Sequence, residues 1–443
     1  MNKSVYCLFY FCIFWPCACY GSGQSQINWL SLQQNQSTGL VDSYESDGTD
    51  RAYLYDQGLS IIAFTAAGEY SKARLVLTAL QNLQQSNGVW YECYDTNTTL
   101  TPEGLRLYNT GPISWVVAAM NFYQGVTSDS NYAASANAAL NWLENLAITD
   151  PCSEKYGAIR YCSGPDCVIP QAVSTEHNAD AHSAFYWRGV LEGNGSFMSR
   201  ADLIGAYMAR EMWGQSDNQN CNFDADVFWR GFEDCQWCTD CQSWTTLSLG
   251  PFGPGNETFH NSMDWIWFSP WGNTRLTQDF SDSILNVDGF KSCTDETNDY
   301  VWTEVTEGVA VAYYSICDWQ KGDYFHSQIS KVVSANGGVP HSFSNTNPQT
   351  IRWPDNWRFN GVAATCWYYL AENKINPFDI SSFYPSLAAD SNYDKSIDFR
   401  DYSVLSNDYG NFGLAFRGDL NNDCRTDALD LILFAEHWLE QIN

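Results

Sequence analysis

The feature that most limits what this chain can fold into is an alternation of two kinds of helix-forming stretch. Leu54 to Ala67 (LYDQGLSIIAFTAA) carries one charged residue, Asp56, and is otherwise apolar or neutral. Glu69 to Gln85 is amphipathic, with Ala73, Leu75, Val76, Leu80 and Leu83 along one side. Pro112 to Tyr123 (PISWVVAAMNFY) is again uncharged, its proline placed early where a helix tolerates it, and Asn131 to Leu146 is again amphipathic. The same spacing predicts helices over 175–192 and 199–213, then Trp302 to Ile316, Tyr324 to Ala335 and Val362 to Glu372. A helix apolar all round belongs inside a protein, and an amphipathic one belongs outside. Repeated inner–outer pairs therefore predict an all-α fold, an (α/α)6-type toroid of helical hairpins. Strict sequence repeats are absent, which excludes a regular solenoid. The segment 214–298, with its turn cluster Pro251, Gly253, Pro254 and Gly255, resists placement.

In such a ring the inner helices point their N-termini to one face. Polar residues that interrupt apolar inner helices should gather there. Asp56 and Gln57 open the first inner helix. Ser174 to Trp187 (STEHNADAHSAFYW) places Glu176, His177, Asn178, Asp180 and His182 in the first turns of another, and Glu304 precedes a further apolar run, with Glu307 one turn later. Tyr55, Trp115, Trp302, Trp353 and Trp357 lie near the same helix mouths. Two carboxylates facing one cleft are the minimum equipment for glycoside hydrolysis, one holding a proton and the other ionised. The pair expected here is Glu176 and Glu304, with Glu304 as the acid and Asp56 in support. Tyr55, Gln57, Trp115, His177, Asp180, Trp302, Trp353 and Trp357 are the expected substrate-binding residues. His177 and His182 do not have the i, i+4 spacing that pairs two histidines on a metal.

The formal charge of -29 across 443 residues repels nucleic acid and anionic membranes and argues against a strongly anionic substrate. The chain has 19 Trp and 26 Tyr while charged residues make up only 16%, and the faces of those rings suit pyranose rings. Residues 1–22 read as an export signal: Lys3, an apolar run from Val5 to Trp15 too short to span a bilayer, then small residues. Four of the sixteen cysteines, Cys7, Cys12, Cys17 and Cys19, lie in that leader. The remaining even number favours disulfides in an exported chain. Cys221 with Cys235, Cys238 and Cys241 could instead hold zinc or an iron–sulfur cluster. Cys317 and Cys366, in apolar runs, read as buried thiols.

After Asn376-Pro377-Phe378 the composition changes. Asp390, Asn392, Asp394, Ser396, Asp398 and Asp401 stand at positions 1, 3, 5, 7, 9 and 12 of a loop, and Asp419, Asn421, Asp423, Arg425, Asp427 and Asp430 repeat the pattern 29 residues on. Hard oxygen donors at that spacing suit calcium (Ca2+), with a backbone carbonyl from position 7. The tandem over 389–443 resembles a type I dockerin, which implies helices presented to a cohesin-like partner. Position 6, usually glycine, is Lys395 in one loop and Cys424 in the other, and position 12 is aspartate rather than glutamate.

The segments YLYDQGLSIIAF, STEHNADAHSAF, VWTEVTEGVAVAYY, and GGVPHSF followed by VAATCWYYLAENKINPF, spread over most of 50–378 within an expected domain of 26–378, resemble the six-hairpin glycosidase type. That resemblance implies the toroid, and it carries the acid role to Glu304 rather than Glu307. The expectation is an exported glycoside hydrolase with a calcium module at its C-terminus. Its rivals are a polysaccharide lyase using Tyr55, His177 and Asn178, and a glycan-binding or surface component without turnover.

Overall fold

A computed structural model describes residues 23–214, 226–250, 258–268, 274–279, 286–294, 300–343, 359–381, 389–391, 396–411, 418–421 and 424–439. Six helices form an inner ring: α2 (Leu54–Ala66), α4 (Thr110–Thr127), α6 (Thr175–Glu192), α8 (Thr239–Leu249), α10 (Thr303–Ser315) and α12 (Val362–Glu372). Each packs on the next, and α12 packs back on α2, so the ring closes. Their outer partners are α3 (Tyr70–Leu83), α5 (Ala133–Leu146), α7 (Gly195–Tyr207), α9 (Asn261–Phe268) and α11 (Trp319–Ser330). The sixth outer helix is α1 (Gln24–Gln33), which packs on α12 and joins the two ends of the ring. The all-α toroid read from the helix alternation is the observed fold. One continuous apolar core runs through all six hairpins.

Three local readings need correction. The segment 214–298 contains α8, α9 and a hairpin of Arg275–Asp279 with Asn286–Phe290. The helix α11 begins five residues before its expected start, because the Asp318 side chain caps it by accepting the Lys321 N–H at 3.2 Å. Gly322 disguises that start in the sequence; it is glycine because a Cβ there would sit 2.4 Å from the Tyr314 ring. Cys317 is no buried thiol: it is disulfide-bonded to Cys424. Cys366 is a buried thiol as expected.

The six inner helices start at one level for a definite reason. Helix starts leave N–H groups without intrahelical partners. Here the first N–H of each inner helix donates to a loop carbonyl of the next hairpin round: Leu54 to Glu92, Thr110 to Tyr161, Thr175 to Arg230, Thr239 to Ser292, Thr303 to His341, and Val362 to Ser43. The six bonds form a circle. The cap residues Tyr53, Asn109, Ser174, Cys238, Trp302 and Gly361 are all extended, held by short antiparallel pairings. Threonine fills the first helical position four times, and in three of these its hydroxyl adds a second bond to the same loop, from Thr110 to Arg160, Thr175 to Trp229 and Thr239 to Lys291.

The C-terminal residues form α13 (Phe399–Asp408) and α14 (Ala428–Glu436) around a small core of Ala389, Ile397, Leu405, Leu420 and Phe434.

Candidate active site

With the helix starts level, the second residue of each inner helix is decisive. In order round the ring these are Tyr55, Gly111, Glu176, Asp240, Glu304 and Ala363. Three successive inner helices therefore present acids at the same depth. The Tyr55 hydroxyl donates to Glu304 Oε1 at 2.8 Å and accepts from the Trp367 indole N–H at 2.8 Å. Glu176 lies within electrostatic range of Asp240, Glu304 and Glu92. Glu176 and Glu304, distant in sequence, thus lie within electrostatic range of one another, with Asp56 also near Glu304.

One turn further in, the sixth residues of α4, α8 and α12 are Trp115, Trp244 and Trp367. Their rings touch one another, with centroids 5.5, 6.0 and 5.8 Å apart, and Phe378 packs on two of them. Tyr55 lies against the same cluster, 5.2 Å from Trp115. The axis is therefore floored with aromatic rings beneath the acids. The sixth residue of α6 is Asp180, set into this floor and only 2% exposed. The Trp115 indole N–H leans toward it, yet neither Asp180 oxygen completes a hydrogen bond among the described residues.

Burial away from water disfavours the charged form of every acid here. It pushes Glu304 up to about 8, with Asp56 and Asp240 adding like-charge repulsion and the Tyr55 hydrogen bond pulling the other way. Burial pushes Asp56 up to about 7 against the opposing pull of Ser43 and the Ala363 N–H, and Glu92 up to about 8 despite Asn109. Glu176 stands well above the usual carboxylate range, from burial first and then from Asp240, Glu304 and Glu92. Burial holds His177 down at about 3, so its imidazole is neutral; the ring stacks on Tyr161 at 4.1 Å. Gly111 makes room for this, since a Cβ there would lie 2.5 Å from His177 Cδ2 and 3.0 Å from Asp180 Oδ2.

Trp302 caps α10, and its indole N–H leans toward Glu304. Trp115, His177 and Asp180 form the layer behind the acids. Gln57 is a correction: it is 0% exposed, and its amide both accepts from Val41 N and donates to Val41 O at 2.8 Å, so it ties the N-terminal segment and is unavailable to a ligand. Trp353 and Trp357 lie outside the described residues. Asn178 likewise is spent on structure, bonding Ile159 N, Ile159 O and Ser174 O. Glu307 is fully buried and turned to the outer layer, where His326 bridges it to Glu372.

Asp240 was missed because it falls in the segment that resisted placement. The signal was present: Thr175-Glu176, Thr239-Asp240 and Thr303-Glu304 recur at intervals of 64 residues. Glu92, Trp244 and Trp367 carried no comparable mark. Beside Asp240, Cys238 is bonded to Cys293 and Cys235 is also disulfide-bonded, so these two sulfurs are not metal ligands. Another bond joins Cys162 to Cys167.

In the C-terminal loops, Asp401 and Asp430 are both fully buried and each closes a capping box with Asp398 or Asp427. Asp430 Oδ1 accepts from Leu420 N and Asn421 N, and Asp419 Oδ2 accepts from Cys424 N at 2.8 Å. Carboxylates at loop positions 1 and 12 are hard oxygen donors of the kind that would fit calcium. Ser396 and Arg425 are placed beside these acids by the chain, while Asn392, Asp394 and Asp423 lie outside the described residues. No described helix is long and apolar enough to cross a membrane.

No family model matches the chain, and no curated protein matches it in sequence. Solved structures share its ring. A glycosidase with one Glu-to-Ala substitution superposes at TM-score 0.59 with 10% identity, over 80% of this chain and 95% of its own. An α-amylase from Clostridium perfringens does so at 0.55 with 8% identity, over 80% and 97%. A sugar epimerase from a ruminal bacterium does so at 0.54 with 11% identity, over 80% and 98%. At these identities the likeness is one of fold.

Proposed function

We propose that this protein is an exported glycoside hydrolase acting on a neutral or weakly charged polysaccharide or oligosaccharide. The observation that carries the reading is the set of acids at the second position of three successive inner helices, above an aromatic floor. Glu304 is the general acid: a carboxyl group that holds its proton up to about 8 can protonate a leaving oxygen at neutral pH. Glu176 and Asp240 repel one another, so ionising one raises the other, and the pair supplies the single carboxylate that activates water or attacks the sugar. Asp56 supports the site from the side of α12. Aromatic rings at the helix mouths, Trp302 among them, suit stacking against pyranose faces. The neighbours add circumstantial support. The solved glycosidases include Glu-to-Ala and Tyr-to-Phe variants, and one is in complex with glucose. The test is a polysaccharide panel followed by Glu304→Gln and Glu176→Gln. A hydrolase loses turnover and keeps ligand binding; a pure binder has no turnover to lose.

A second reading, sugar isomerisation or epimerisation, is favoured by one observation. His177 and His341 are both buried neutral imidazoles near the inner-helix starts, each with Nδ1 lacking a partner among the described residues. Some neighbours are a D-mannose isomerase and a sugar epimerase. A product with no new reducing end but a changed sugar would favour it. The lyase alternative loses its carboxylate-neutralising residue, because Asn178 is committed to backbone bonds.

For the C-terminal module we propose two calcium ions, held by the acids of the two loops with backbone carbonyls of Ser396 and Arg425. The ion supplies charge neutralisation that lets Asp401 and Asp430 be buried. A cohesin-like protein is the partner that the dockerin resemblance suggests, and calcium-dependent pull-down with a cohesin panel tests it.

A further inference from the structure

The disulfide between Cys317 and Cys424 joins two parts of the chain 107 residues apart. Cys317 follows the C-terminus of α10, so it lies at the opposite end of that helix from Glu304, about 20 Å away by the helical rise. Cys424 is position 6 of the second calcium loop. Both cysteines are left-handed, with φ of 62° and 67°. Each stands where a glycine is the ordinary choice: just past a helix C-terminus in one case, at the sharp turn of a calcium loop in the other. A side chain in that conformation is unfavourable on its own. Two such positions both filled by cysteine, and bonded to each other, point to a selected link.

We propose that the Cys317–Cys424 bond fastens the second calcium loop to the end of the ring opposite the acids and preorganises that loop for its ion. The inference rests on the calcium reading above. Holding Cys424 left-handed keeps its N–H on Asp419 before any ion arrives. The loop then binds without first finding an unfavourable turn. The same bond turns the module away from the acids, so a partner seated on the exposed Phe399, Leu429 and Ile432 would leave the helix mouths open to substrate.

Calorimetric calcium titration of the full oxidised chain tests this. Cys317→Ser leaves every loop residue in place and should weaken one of the two binding steps about ten-fold, equivalent to ~1.4 kcal/mol. Adding Cys424→Gly to that variant should restore the affinity, because glycine takes the left-handed turn freely. Hydrogen exchange over 418–436 in calcium-free protein should quicken in Cys317→Ser. Unchanged affinity in Cys317→Ser, or a double variant as weak as the single, overturns the preorganisation proposal while leaving calcium binding intact. A wild-type protein that takes up no calcium overturns the calcium reading and this proposal together.

Discussion

The half of the ring made by α6, α8 and α10 and the half made by α12, α2 and α4 start their helices identically. In both, the first N–H is bound by a neighbouring loop and the cap residue is extended. They differ in the next residue. One half presents Glu176, Asp240 and Glu304; the other presents Ala363, Tyr55 and Gly111. The common backbone device sets the level, and single side chains on it decide the chemistry. The acid half supplies buried carboxyl groups, and the other half supplies the room and the hydroxyl that those groups lean on. Gly111 admits His177 and Asp180, and Tyr55 reaches across to Glu304.

The sharpest way to break this contrast is to neutralise the acid half. Glu304→Gln and Glu176→Gln should each lower kcat by about 10³-fold, within the range for lost acid–base groups, with ligand affinity largely retained. Asp240→Asn should cost about 10²-fold; full activity would show that only two of the three acids matter. On the other half, Gly111→Ala should destabilise by about 1–3 kcal/mol, the usual cost of overpacking, visible as a lower denaturant midpoint. Ala363→Gly, on the same half and at the same level, should cost only about 0.5–1 kcal/mol.

The link between the halves predicts a pH effect. If Glu304 is the general acid, as proposed, it acts protonated; burial pushes its carboxyl up to about 8, so the rate should fall as pH rises through about 8. The Tyr55 hydrogen bond favours the ionised form. Tyr55→Phe should therefore move that alkaline limb upward, by about 1 pH unit for a charge-assisted bond; a downward move would place Glu304 in another role. A comparably small effect belongs to the shared device itself. Thr239→Val removes the bond to Lys291 O and should cost about 1 kcal/mol of stability.

Much of this was legible in one dimension. Apolar stretches such as 112–123 have no face that could meet water, so they had to be inner helices, and their alternation with amphipathic stretches implied a ring. The stretch around 239–249 hid because TDCQSWTTLSL is polar in composition; the hydroxyls of Ser243, Thr245 and Thr246 bond back to helix carbonyls and are buried all the same. Gln57 and Asp56 look alike in sequence as polar intrusions. Only packing shows that one ties a backbone and the other lies beside Glu304.

What the sequence by itself determined was the inventory: alternating helices, acids near their starts, and paired oxygen-rich loops, because period and composition are local properties. What only the tertiary structure decided was which acids share a level, which aromatic rings meet on the axis, and which cysteines bond. Those depend on a circle of hydrogen bonds between hairpins far apart in the chain, and on through-space distances that local spacing does not encode.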